Sequence, residues 1–226
     1  MLDSTQLLAS LQHADSFFPA GGIAFSWGLE SLNGDRHVAT PAALHAFILG
    51  QLRYRWHTLD RPFLRAAYQC SANLDDLVAL DGELEAMILA REAREGSRRA
   101  GGSLILVHER IGTMGAADYR GRMVAGQAAG HLPVVQALVW KGVGLSLEAV
   151  EPVSAYAMTI GMISAALRLG VLGHLAAQQI MTQLRPDIAQ LLATEAPAVT
   201  EAQSLTPAAE IAMMRHEVQS SRLFAN

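Results

Sequence analysis

No stretch of useful length in this chain alternates apolar with polar residues, whereas helical periodicity recurs almost from end to end, so the chain has the makings of helices and none of a sheet. Leu7, Leu8 and Leu11 predict a short first helix. Thr40-Pro41 is a helix start, with threonine as N-cap and proline at the first helical position. Behind it Leu44, Phe47, Ile48 and Leu52 share one face. Pro62 is expected to kink or divide the region before a further helix over 64–68. Asn73 opens a helix carrying Leu77, Leu80, Leu84, Met87 and Ile88. It runs on into REAREGSRRAGGSLI, where Gly101-Gly102 marks a break or a close-packed turn. Helices are expected near 118–129, over a buried 134–143, and from a Ser146 cap through Leu167, with Pro152 tolerated near the first turn. A helix over 175–184 is expected to close at Arg185-Pro186, leaving a short turn at 188–193. Thr206-Pro207 then repeats the start signature. The fold class is all-α, a single-domain bundle of about eight to ten helices. Residues 1–193 form the body, 194–205 a linker, and 206–226 a conditionally ordered C-terminal helix and tail that binds a partner.

Several functions are excluded by what the residues lack. A P-loop requires Gly-x-x-x-x-Gly-Lys-Ser/Thr, but the sole lysine, Lys141, lies in Trp-Lys-Gly with no glycine-rich run before it. The glycine pair at 21–22 does not follow a strand and is no dinucleotide fingerprint. The eight histidines never stand three or four residues apart, and Cys70 is the only cysteine, so no metal-ligand spacing is present. Ser26 lies in Phe-Ser-Trp-Gly rather than a nucleophile elbow. No catalytic residue, metal ligand or cofactor is expected. The net charge of −4 provides no field for nucleic acid. The N-terminus lacks the basic start of a secretory signal, and the uncharged stretch 153–167, at 15 residues, is shorter than the about 20 that span a bilayer. A buried core helix in a cytoplasmic protein, without membrane contact, is the expectation.

Residues 15–31, DSFFPAGGIAFSWGLES, form the densest local pattern. Pro19 with Gly21 and Gly22 makes a sharp turn; Asp15 and Ser16 can bond its backbone. Phe17, Phe18, Phe25 and Trp27 can pin it to a helical body, and Glu30 starts the next segment. Ser26 belongs to the same structural loop.

This pattern, read as LLxxLQxxDSxFPxGGxAxSxGLE, closely resembles the N-terminal signature of the urease accessory protein UreF family. Further stretches agree: the arginine-rich run from Arg91 to Gly101, Gly130-His-Leu-Pro-Val-Val, Ser164-Ala-Ala-Leu-Arg-Leu-Gly with Leu172-Gly-His, and the terminus Met214-Arg-His-Glu-Val-Gln-Ser-Ser-Arg-Leu-Phe. Phe25 and Ile23 depart from the usual pattern, in which a histidine or tyrosine precedes the serine and an aromatic stands two residues earlier. The resemblance implies an all-helical, cytoplasmic, usually dimeric protein without enzymatic activity. It implies a scaffold that binds UreD (also called UreH), recruits the GTPase UreG and regulates GTP-dependent delivery of nickel to apo-urease.

On that reading two surfaces stand out. Arg91, Arg94 and Arg98 fall on one helical face, either as a solvated, ion-paired face or as an anchor for an acidic partner. The tail offers Met214, Arg215, His216, Glu217, Arg222, Leu223 and Phe224, apolar anchors beside arginines; in the family this region is associated with UreD binding. Rival readings are a helical adaptor of another metalloenzyme maturation pathway and a small hydrolase built on the Asp15–Ser26 loop.

Overall fold

The computed structural model describes residues 3–19, 25–216 and 223–224. Among them every regular element is helical, which bears out the all-α expectation. The elements are α1 (Ser4–Ala14), α2 (Leu29–Gly34), α3 (Pro41–Gln51), a π-helical segment (Leu52–Asp60), α4 (Arg61–Cys70), α5 (Leu74–Met87), α6 (Arg91–Arg110), α7 (Ala116–Val124), α8 (Leu132–Gly142), α9 (Leu147–Arg168), α10 (His174–Ala193), a 3₁₀ turn (Val199–Glu201) and α11 (Pro207–His216).

The starts follow the local chemistry. Thr40 caps α3, its hydroxyl accepting from Ala43 N at 3.2 Å. Asn73 caps α5 through Asp75 N and Asp76 N. Thr206 behaves differently: its hydroxyl lies 3.3 Å from Glu210 Oε1, while its carbonyl accepts the first helical bond of α11.

Two apolar clusters meet around α8 and α9. The first joins α4, α5, α6 and α8 through Phe63, Leu77, Leu104, Val135 and Trp140. The second joins α3, α9 and α10 through Leu44, Ile48, Trp56, Met162 and Leu184. Each fully buried side chain of this size contributes about 1.5–3 kcal/mol. Helix α8 is buried from Pro133 through Trp140, clamped between α4 and α6. Helix α9 runs 22 residues, beyond the uncharged stretch, and is long and apolar enough to cross a membrane; most of it is instead buried against α1, α8 and α10.

Three expected breaks are absent. Pro62 does not divide its helix. It lacks the N–H that would bond back to Thr58, and the backbone upstream widens into the π segment, in which Arg61 N reaches five residues back to Trp56 O. The Thr58 and Tyr54 carbonyls accept instead from Gln203 N and Leu205 N, both at 2.9 Å. Pro186 likewise sits inside α10, which continues through 188–193. Gly101-Gly102 lies mid-helix in α6 because the close approach of the loop before α8, not a turn, needs the glycine: a Cβ on Gly101 would collide with the Gly130 carbonyl. The real break falls at 88–90, between α5 and α6, and α7 ends at Val124 rather than near 129.

The segment 194–205 is laid along the π segment by those two backbone bonds, with Ala202 buried. Nearby, buried Arg61 closes the end of α10. Its Nη1 donates to Leu191 O (2.7 Å) and Thr194 O (2.9 Å), and its Nη2 to Leu192 O (3.1 Å). The same guanidinium forks onto Glu151 of α9 at 3.2–3.3 Å.

Candidate functional site

Asp15 ends α1, its N–H donating to Leu11 O and its Oδ1 accepting from Phe17 N at 2.9 Å. Ser16 and Pro19 lie exposed beyond it; Gly21 and Gly22 are outside the described residues. Of the four aromatics expected to pin the loop, Phe25 and Trp27 are buried and Phe18 packs on His13 and His108. Phe17 points outward, 92% exposed. Ser26 is fully buried. Trp27 (φ 57°) and Gly28 (φ 81°) then turn the chain through the left-handed region into α2. Helix α11 rests directly on Gly28, where a Cβ would come within 2.7 Å of Ala209 O and 3.2 Å of Ala212 Cβ. Only glycine meets both demands.

The start of α2 holds Leu223 and Phe224. Glu30 accepts Leu223 N through Oε1 (2.7 Å) and Phe224 N through Oε2 (3.2 Å). Phe224 is buried, with the Arg168 guanidinium 4.1 Å over its ring. Arg215 pairs with Asp35 at 2.6 Å, and Met213 is buried while Met214 is half-exposed. The last described residues thus lie against this chain's own body, between α2 and the end of α9. Glu217, Arg222 and the side chain of His216 lie outside the described residues.

The arginine face is internally paired. Arg94 Nη1 caps the end of α5 through Ile88 O (2.6 Å) and Leu89 O (2.9 Å). Arg94 and Arg98 each stand 3.7 Å from Glu85, and Arg91 lies 3.9 Å from Glu92 and Glu95. Glu85 also accepts from His131 Nε2 at 2.7 Å. Burial lowers the His131 pKa, so this contact is a hydrogen bond from a neutral imidazole. Asp81 receives Gly130 N and His131 N at 2.6 and 2.9 Å. Arg91 and Arg98 keep half their surface in solvent.

Beneath the loop His13 and His108 stack at 5.1 Å, both imidazole Nε2 atoms buried without a hydrogen-bond partner among the described residues. Burial lowers both pKa values, that of His108 to about 4. Among the described residues no three His, Cys, Asp or Glu side chains come together as a metal site.

Sequence reasoning singled out Glu30, Arg215 and Phe224 separately; the structure brings them to one corner. It overlooked Gly28, Asp81, Glu85 and the buried arginines Arg55 and Arg61. Gly28 stood in the quoted Ser-x-Gly-Leu-Glu pattern, so its signal was available. The buried arginines carried none, because an arginine reads as surface until its neighbours are known.

A model of the UreF family matches residues 38–185. The chain is 32% identical over 231 residues to the urease accessory protein UreF of Paenarthrobacter aurescens, covering 99% of both chains. It is 31% identical to those of Haemophilus influenzae (97% of this chain, 95% of the relative) and Trichodesmium erythraeum (99% and 98%). The match spans the N-terminal signature, the helical body and the tail, and the chain belongs to the UreF family of urease accessory proteins.

Proposed function

We propose that this chain is a non-enzymatic scaffold of urease maturation. It bridges UreD (UreH) and the GTPase UreG, and regulates GTP-dependent nickel insertion into apo-urease. It works in the cytoplasm as a homodimer, the nucleotide being bound by UreG and the nickel being cargo. One observation carries this reading. Three parts of the chain far apart in sequence, the segment 27–35, Arg168 at the end of α9, and Arg215 with Leu223 and Phe224, converge on one corner of the body. That corner combines a buried aromatic, half-exposed Met214, exposed Leu223 and an arginine, the composition of a protein-binding hot spot. The outward faces of Leu7, Leu8 and Leu11 on α1 add a separate apolar strip suited to subunit contact.

Two variants test this reading: Phe224→Ala, and Met214→Asp together with Leu223→Asp. Each is co-purified with the cognate UreD, with and without UreG and GTP, and sized by light scattering. The unaltered chain is expected to form a stable complex that recruits UreG, and the double variant to lose UreD while its circular dichroism stays helical. Full retention of UreD by both variants overturns the tail assignment. Failure of the unaltered chain to associate under any nucleotide condition overturns the scaffold role.

A further inference from the structure

A cavity of about 100 Å³ lies between α1, the π segment, α8 and α9. It exists because α9 presents Ala157, Gly161 and Ser164 toward it, small residues spaced four and three apart on one helical face. Trp27 and Trp56 provide its aromatic walls. The volume is several times that of one water molecule by the same measure.

Its polar wall carries two donors, Arg55 and Gln136, beside the carboxylates of Asp15 and Asp60. Arg55 is 2% exposed, and its buried Nε has no well-aligned hydrogen-bond partner among the described residues; Asp60 stands 3.5 Å from Nε, and the guanidinium lies 5.2 Å over the Trp27 ring. The i→i+5 closure of the π segment puts Arg55 and Asp60 on one face, which an α-helix would hold apart. With Nε beside Asp60, the end-on edge formed by the two Nη groups remains. A smaller hollow of about 30 Å³ lies on the other side of Arg55, with Glu210 on its wall.

Gln136, 6% exposed, is the second donor, and its orientation is set by a directional chain. Trp56 Nε1 can only donate, and it donates to Ser154 Oγ at 3.1 Å. Ser154 Oγ in turn donates to Gln136 Oε1 at 3.0 Å. The Gln136 amide N–H₂ is left as a donor on the cavity side, with no partner among the described residues. A buried arginine and a buried amide, both short of acceptors on one cavity wall, are costly unless an acceptor fills the space.

We propose that this cavity is a binding site for a small carboxylate, held end-on by the Arg55 fork and by the Gln136 amide, its short apolar remainder against Trp27 and Trp56. A guanidinium edge takes a carboxylate or a phosphate with two parallel bonds; the carboxylate is favoured here because its apolar remainder suits the tryptophan walls, where the further oxygens of a phosphate would lack donors. The site is independent of the partner-binding corner.

The full-length chain is titrated with formate, acetate and phosphate at constant ionic strength, with chloride as control, and read by tryptophan fluorescence and thermal midpoint. Formate or acetate is expected to give a saturable change in both readouts, and phosphate and chloride none. Gly161→Leu is expected to abolish the response. A Cβ there meets nothing within 4 Å, so this variant fills the cavity without removing a charge and stays folded. Arg55→Lys, which keeps the charge but loses the fork, is expected to weaken binding by about tenfold or more. Three results each overturn the proposal: no saturable response to either carboxylate, which means that water alone fills the cavity; an unchanged response in Gly161→Leu; or phosphate binding in preference to carboxylate.

Discussion

At the scale of single residues, glycines with identical sequence signals play opposite parts. Gly101 and Gly102 are neighbours in α6, but only Gly101 lies under another backbone, that of Gly130 and His131; Gly102 has open space. Gly101→Ala is expected to destabilise by about 1–3 kcal/mol through overpacking. Gly102→Ala should stabilise by about 0.5–1 kcal/mol through helix propensity. Urea midpoints of the two variants check the contrast, and equal shifts of the same sign would refute it. The histidine stack makes a second prediction at this scale. His13 and His108 take up protons less readily folded than unfolded, so protonation favours the unfolded chain. Stability is therefore flat above the ordinary histidine pKa and falls as pH drops from about 6.5 toward 4, at up to about 1.4 kcal/mol per pH unit for each histidine. Burial lowers the pKa of His57 and His131 as well and acts in the same direction. Unfolding measured between about pH 7.5 and 5 should thus show a steep loss that His108→Phe makes shallower; an unaltered slope in that variant would deny the stack its part.

At the scale of elements, Arg61 ties three helices with one side chain. It belongs to α4, forks onto Glu151 of α9, and captures three carbonyls at the end of α10 that have no helical donor left. Glu151 also accepts from Arg65. Arg61→Met strands a buried carboxylate and those carbonyls together, and should cost about 3–5 kcal/mol. The double variant Arg61→Met with Glu151→Met removes the stranded charge and should recover part of that loss. Chemical denaturation of the single and double variants measures the difference, and a double variant less stable than the single one would contradict this account. The π segment is the other feature of this scale: Pro62 withholds a donor, the chain at 203–205 supplies replacements, and the widened helix positions Arg55 over the cavity.

At the scale of the whole molecule, Leu223 and Phe224 are held by Glu30, the last residue of the N-terminal signature, so segments from the two ends of the chain report on one another. Removing the acceptor charge with Glu30→Gln weakens two backbone bonds to Leu223 and Phe224. Limited proteolysis should then cut the tail faster in Glu30→Gln than in the unaltered chain, with the helical body resisting in both. Equal cleavage rates would show that Glu30 does not hold the tail.

Helicity, the caps at Thr40 and Asn73, the burial of α8 and α9 and the family itself were legible in the linear chain, because periodicity, capping chemistry and ordered motifs are local properties. The breaks read from Pro62, Pro186 and Gly101 were not. A proline is tolerated inside a helix, with the backbone widened before Pro62 and α10 continuous through Pro186, and a glycine pair reads the same whether it bends a chain or admits a neighbouring loop. Nor did the arginines at 91, 94 and 98 disclose that Glu85 and the end of α5 lie beneath them. The meeting of Glu30, Arg168 and Phe224, and the placing of Arg55 beside a cavity, depend on contacts between residues far apart in the chain, 194 positions for Glu30 and Phe224, or on a helix type that one absent N–H promotes. Such contacts are products of packing, and only the tertiary structure decided them.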